Sequence, residues 1–139
     1  MRSDFLQNSD DGLDHEVIED LKDISADPAD DVVPVLLGMF FKELPARIVA
    51  LRTFAQVPDF SELARAAHRM KGSSALIGAS RLAGICGDLE SIGDRRAAPE
   101  AMEDLLSALE VEAKRVRLIL PQALGHADAV SRQQDSALR

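Results

Sequence analysis

The stretch FSELARAAHRMKGSSALIGASRLAGICGDLE, residues 60–90, decides the fold. Phe60, Leu63, Ala67, Met70, Ser74 and Ile77 recur at spacings of 3, 4, 3, 4 and 3, which lines one face of a helix with a coiled-coil-like seam. Asp59, with Glu62 three residues on, has the form of a capping box at the start of that helix. Gly78 supplies its stop. A second seam of Leu82, Ile85, Cys86, Leu89 and Ile92 predicts another helix over about 79–92, ending at Gly93.

The same periodicity extends outward. Asp14 caps a short helix over His15 to Ile24, with Val17, Ile18, Leu21 and Ile24 on one side. SADPAD, 25–30, reads as a turn. A long helix starts near Val33 or Pro34 and carries Leu36, Leu37, Phe40, Phe41, Leu44, Ile48, Leu51 and Phe54 to about residue 55. Pro45 falls inside it and predicts a kink, because proline removes a backbone bond and crowds the preceding turn. GDRRAA is a linker, and Pro99 opens a last helix with Met102, Leu105, Leu106, Leu109, Ala113, Val116 and Ile119. The expected fold is all-α: an up-down antiparallel four-helix bundle with a short extra N-terminal helix, spanning 14–124 between flexible segments at 1–13 and 125–139.

Composition agrees. The chain has 139 residues, 46% of them hydrophobic, with neither Trp nor Tyr, so the core is aliphatic with some Phe. The net charge of −8 argues against nucleic acid as a partner, since phosphate contacts need clustered Lys and Arg. A single cysteine forms no internal disulfide, and no Cys/His spacing suggests a metal site. The start, MRSDFLQNSD, has no apolar signal segment, and VVPVLLGMFF is too short to span a bilayer. These features imply a cytoplasmic protein or domain without membrane contact.

His68, Lys71 and Gly72 stand within five positions of the 60–77 helix. At ~100° per residue, His68 lies about 130° from the seam's centre, on the exposed side. Its helical neighbours Ser61, Ala64, Arg65 and Ala75 are mostly small, and Gly72 weakens the helix by about 1 kcal/mol relative to alanine. Neutral imidazole is a competent nucleophile at cellular pH, a lysine ammonium neutralises an incoming phosphoryl group, and a glycine clears the surface. No Gly-rich phosphate loop or acidic metal cluster accompanies them, so a partner must bring both metal and phosphoryl donor. On geometry alone a plain surface histidine beside a solvated lysine fits as well.

The string AHRMKGSSALIGASRLAGICGDLE, residues 67–90, resembles the signature of histidine-containing phosphotransfer domains, combining HxxKGS with a later GAxxLxxxCxxLE. The upstream FxxELPARIVALR is similar to that family's second helix, and the resemblance covers about 14–120. It implies a bundle that relays phosphoryl groups between receiver-domain aspartates, with His68 as acceptor, Lys71 balancing charge and Gly72 admitting the partner. Met70 stands where the family often has leucine. Ser61, Ala64, Arg65, Arg69 and Ala75 are the expected docking face. The implied partners are response-regulator receiver domains and a hybrid sensor histidine kinase. Mg²⁺ is expected on the receiver and no cofactor on this chain, a monomeric phosphocarrier without kinase activity of its own. Two rivals stay open: a docking module that carries no phosphate, and a kinase dimerisation domain, which an ATP-binding domain would follow. The family often supports its histidine with a polar side chain from the adjoining helix, and Arg81 is the candidate here. Cys86 reads as a core residue, Gly84 and Gly87 as close-packing positions, and Glu90 as a cap or salt-bridge residue rather than a catalytic one. His15 and His126 have no supporting pattern, and Arg95 and Arg96 belong to the linker.

Overall fold

The computed structural model describes residues 11–25, 27, 29, 31–95 and 99–126. Among them five helices follow one another: α1 (His15–Ile24), α2 (Val33–Gln56), α3 (Phe60–Leu76), α4 (Ser80–Arg95) and α5 (Pro99–Ala123). The last four form the up-down bundle. Each packs on its neighbours in sequence, α3 most extensively on α4, and α2 closes the ring against α5. Residues 1–10, parts of the 25–30 turn, Arg96 in the linker and most of the predicted tail lie outside the described residues.

Local chemistry sets the helix ends. Asp14 Oδ1 accepts from the N–H groups of Glu16 and Val17, and Asp59 Oδ1 from that of Glu62 at 3.2 Å, so each satisfies donors that a helix start leaves orphaned. Gly78, at φ +86°, takes the left-handed conformation that ends α3, and the Ala79 N–H returns to Ser74 O at 2.9 Å. The core is the aliphatic set the spacing marks out: Leu37, Leu51, Leu63, Met70, Leu82, Leu89, Leu109 and Leu120 are fully enclosed. Ile24, expected on the inner side of α1, is instead exposed at its last turn, and Leu36 is exposed near the start of α2.

Three expectations change. Gly93 does not end α4, which runs on through Arg95. A Cβ at Gly93 would stand 3.2 Å from both Ala64 Cβ and Phe60 O, so this glycine lets α3 and α4 approach closely. Gly84 faces open space and has no such role. At the other end of the α3–α4 pair, the leading segment is held down from Asp11 onward. Gly12 O accepts from Arg81 N–H and Ser80 Oγ, Arg115 Nη2 donates to Asp11 O at 2.6 Å, and Leu13 is buried.

Pro45 sits inside an unbroken α2. It has no N–H to offer the Phe41 carbonyl one turn back. Arg117, from α5, donates its Nη2 to that oxygen at 3.1 Å and lays its guanidinium 5.0 Å from the centre of the Phe41 ring. A side chain from the facing helix thus stands in for the missing backbone donor. Arg117→Ala is expected to destabilise the fold by about 1–2 kcal/mol. In a Pro45→Ala background, where residue 45 regains its N–H, the loss should shrink. Urea denaturation of the four proteins of this cycle measures it, and an equal loss in both backgrounds contradicts the substitution of donors.

Candidate functional site

The site forms where α3 and α4 run side by side. His68 points out from the middle of α3, its side chain 65% exposed. Glu90, near the C-terminal end of α4, lies against it: Oε2 is 2.9 Å from His68 Nδ1 and Oε1 is 2.9 Å from Lys71 Nζ. One carboxylate therefore holds two side chains that sit three residues apart on the neighbouring helix. Gly87 stands one turn before Glu90. A Cβ there would touch the Lys71 stem at 3.4 Å, so the lysine crosses α4 over a glycine to reach the carboxylate.

The arrangement fixes protons. The Lys71 ammonium, with help from His68, holds the Glu90 carboxyl below the usual carboxylate range. An ionised carboxylate only accepts, so the neutral imidazole donates from Nδ1. Its lone pair is then on Nε2, the nitrogen away from Glu90. The site thus presents an aimed nitrogen nucleophile with an ammonium beside it.

Gly72 is one turn beyond His68, and a Cβ there would meet nothing within 4 Å. Among the described residues no contact requires glycine at 72, so what its missing side chain affects is the space outside. Ser61, Arg65, Arg69 and Ala75 are exposed around it, with Arg65 bound to Glu62 at 3.3 Å. Ala64 is not part of this face. It is buried against Gly93. Leu76, two turns beyond His68 on the same strip, is 79% exposed.

Arg81 does not support the histidine. It lies more than two turns from Glu90, its N–H on Gly12 O and its guanidinium 3.9 Å from the buried Glu112. The supporting residue is Glu90, which the sequence offered only as a cap or salt bridge. The signal was its place in the closing LE of the motif together with Gly87 one turn earlier. The remaining histidines are elsewhere: His15 pairs with Asp11, and His126 with Asp31 at 3.0 Å. Among the described residues no three His, Cys, Asp or Glu side chains are grouped to hold a metal ion, and no helix is long and apolar enough to cross a membrane.

Comparison with known proteins matches residues 35–123 to the Hpt domain model. The crystal structure of histidine-containing phosphotransfer protein B from Pseudomonas aeruginosa PAO1 superposes with a TM-score of 0.70 at 31% identity, covering 82% of this chain and 95% of that one. Multistep phosphorelay regulator 1 of Schizosaccharomyces pombe is 23% identical over 91 residues, which is 66% of this chain and 31% of that protein.

Cys86 lies beneath the site, fully enclosed in the core. Burial pushes its thiol from the ordinary 9.0 up to about 12, with Lys71 opposing the shift. The folded chain therefore keeps a proton that the unfolded chain releases above 9.0, so this thiol's contribution to stability falls as pH rises from 9.0 to about 12. At pH 8 iodoacetamide should leave the native protein unmodified and alkylate it in denaturant; rapid native labelling contradicts the enclosed thiol.

Proposed function

The chain belongs to the Hpt domain family, and on that footing we propose that His68 carries the phosphoryl group, with Lys71 and Gly72 serving its transfer. The protein works in histidine phosphotransfer within a two-component phosphorelay. The observation that carries the assignment to His68 is the Glu90 hydrogen bond at Nδ1, which leaves Nε2 as the nucleophile on an exposed side chain.

In the loading step the Nε2 lone pair attacks the phosphorus of a receiver's aspartyl phosphate. The P–N bond forms, the P–O bond to the aspartate breaks, and its electron pair leaves with the carboxylate. The transition state is loose and gathers charge on the phosphoryl oxygens, so alignment and cations supply most of the acceleration. Lys71 is the cation this chain contributes, and the receiver contributes Mg²⁺. Returning the phosphoryl group to a second receiver reverses the step.

Gly72, Leu76, Arg65 and Arg69 form the surface that meets the receiver. The glycine leaves room for its loops, the leucine gives an apolar contact, and the arginines set local positive charge in a chain of net charge −8. Such contact is transient and at the small end of interface sizes. The core closes within one chain, which supports a monomer, and receiver partners support a cytoplasmic setting.

A receiver domain charged with labelled phosphate in the presence of Mg²⁺ tests the assignment. Wild type should take up acid-labile, base-stable label and His68→Gln none. Gly72→Leu should keep the wild-type unfolding free energy within about 1 kcal/mol, gaining helix propensity at a position where a Cβ meets nothing, yet lose at least roughly tenfold in transfer rate. Label on His68→Gln sinks the assignment. Unimpaired transfer by Gly72→Leu removes the clearance role.

A further inference from the structure

In the ring of four helices the groove between α2 and α5 lies across from the α3–α4 groove that holds His68. We propose that the α2–α5 groove docks an amphipathic helix of a partner protein, one that carries carboxylates beside its apolar edge, and that this helix binds without covering His68.

The groove holds a cavity of about 390 Å³. Pockets that bind ligands run roughly from 300 to 1,000 Å³. Its floor is apolar: Leu44, Pro45 and Ile48 from α2, and Ala113 from α5. Leu44 and Ala113 are buried, so the groove reaches down to the core. Two cations of α5, Lys114 and Arg117, line it as well. Apolar surface continues on both helices. Val49, one turn on from Pro45, is 64% exposed, and Val111, three residues before Lys114, is 69% exposed. Exposed valines on both helices of an apolar groove fit a contact surface better than a solvated face.

The charges choose the partner. Glu110 also lines the groove, but Arg52 takes both its oxygens, at 2.6 and 3.0 Å, and holds its carboxyl below the usual carboxylate range. Arg117 gives Nη2 to the Phe41 carbonyl, a neutral acceptor. Among the described residues neither Lys114 nor Arg117 is held in an ion pair with a carboxylate. In a chain of net charge −8, an acidic partner is repelled by most of the surface and accepted where these two cations stand.

The shape favours a helix. α2 and α5 run antiparallel, and the lining of α5 extends from Glu110 to Arg117, about two turns or ~10 Å. A third helix laid in such a groove presents anchors at i, i+3 or i+4, and i+7, which span the same length. Its apolar anchors enter over Pro45 and Ala113, and acids on its α5 side meet Lys114 and Arg117. A chain held this way by one partner keeps the His68 face open to another.

The test titrates the full chain, with labelled methyl groups and histidine rings, with two synthetic helical peptides. Both share one leucine pattern; glutamates flank it in one and lysines in the other. The glutamate peptide should shift the methyl signals of Leu44, Ile48 and Ala113 saturably, bind more weakly as salt is raised, and leave Leu76 and the His68 ring unmoved. Lys114→Glu should weaken it at least roughly tenfold, and Lys114→Arg should keep it. Pro45→Glu supplies an anion from within the chain and should weaken it by a similar factor, with the unfolding midpoint measured alongside. Equal binding of the two peptides, indifference to Lys114→Glu, or shifts at His68 or Leu76 overturns the inference. So does hexanoate that moves the groove methyls with the affinity of the peptide, which makes this a site for small acids. Groove shifts that grow with protein concentration alone overturn it too, and make the groove a contact between copies of the chain.

Discussion

The close approach of α3 to α4 is the constraint on which the site depends. At Gly93 a Cβ would stand 3.2 Å from Ala64 Cβ and the Phe60 carbonyl, tighter than an ordinary contact, and further back along α4 the Lys71 stem passes over Gly87. With the helices this near, a glutamate from α4 reaches across to two residues of α3 at 2.9 Å each. A larger residue at 93 would move α4 outward and carry Glu90 with it. The packing of small residues deep in the pair thus sets the protonation pattern at its surface, and the nucleophile's aim follows from that pattern.

The rest of the bundle serves as a frame for this pair. α2 and α5 close the core, and they are tied to each other by polar bonds as well as by apolar contact. Arg117 completes the backbone of α2 at the proline, and Arg52 of α2 binds both Glu103 and Glu110 of α5. At the far end, the buried Glu112 and its partner Arg115 hold the leading segment at Asp11 beside the α3–α4 turn. None of these contacts lies at His68.

Much of the architecture was legible in the sequence, for a physical reason. Helical seams repeat at 3 and 4, so Leu63, Ala67, Met70 and Ser74 announce a face, and Asp14, Asp59 and Gly78 announce ends through backbone chemistry that is local. His68, Lys71 and Gly72 were legible because they too share one helix. What the sequence concealed depends on two helices at once. Gly93 reads as a stop until Ala64 is seen against it, and Gly84 reads as a packing position until it is seen facing open space. Glu90 and Arg81 both precede or follow apolar residues on α4, and only the way α4 lies alongside α3 decides which of them meets the imidazole. Ala64 was placed on the docking face for the same reason: its angle on α3 borders that face, and α4 happens to cover it.

If Glu90 leaves Nε2 of His68 as the reacting nitrogen, the position of the phosphoryl group on the ring reveals it. Protein loaded from a charged receiver and labelled with ¹⁵N in the histidine ring reports, through phosphorus–nitrogen coupling, which nitrogen carries phosphorus. Attachment at Nε2 of His68, with the proton still on Nδ1, is the expected result. Attachment at Nδ1, or at any other residue, would contradict it.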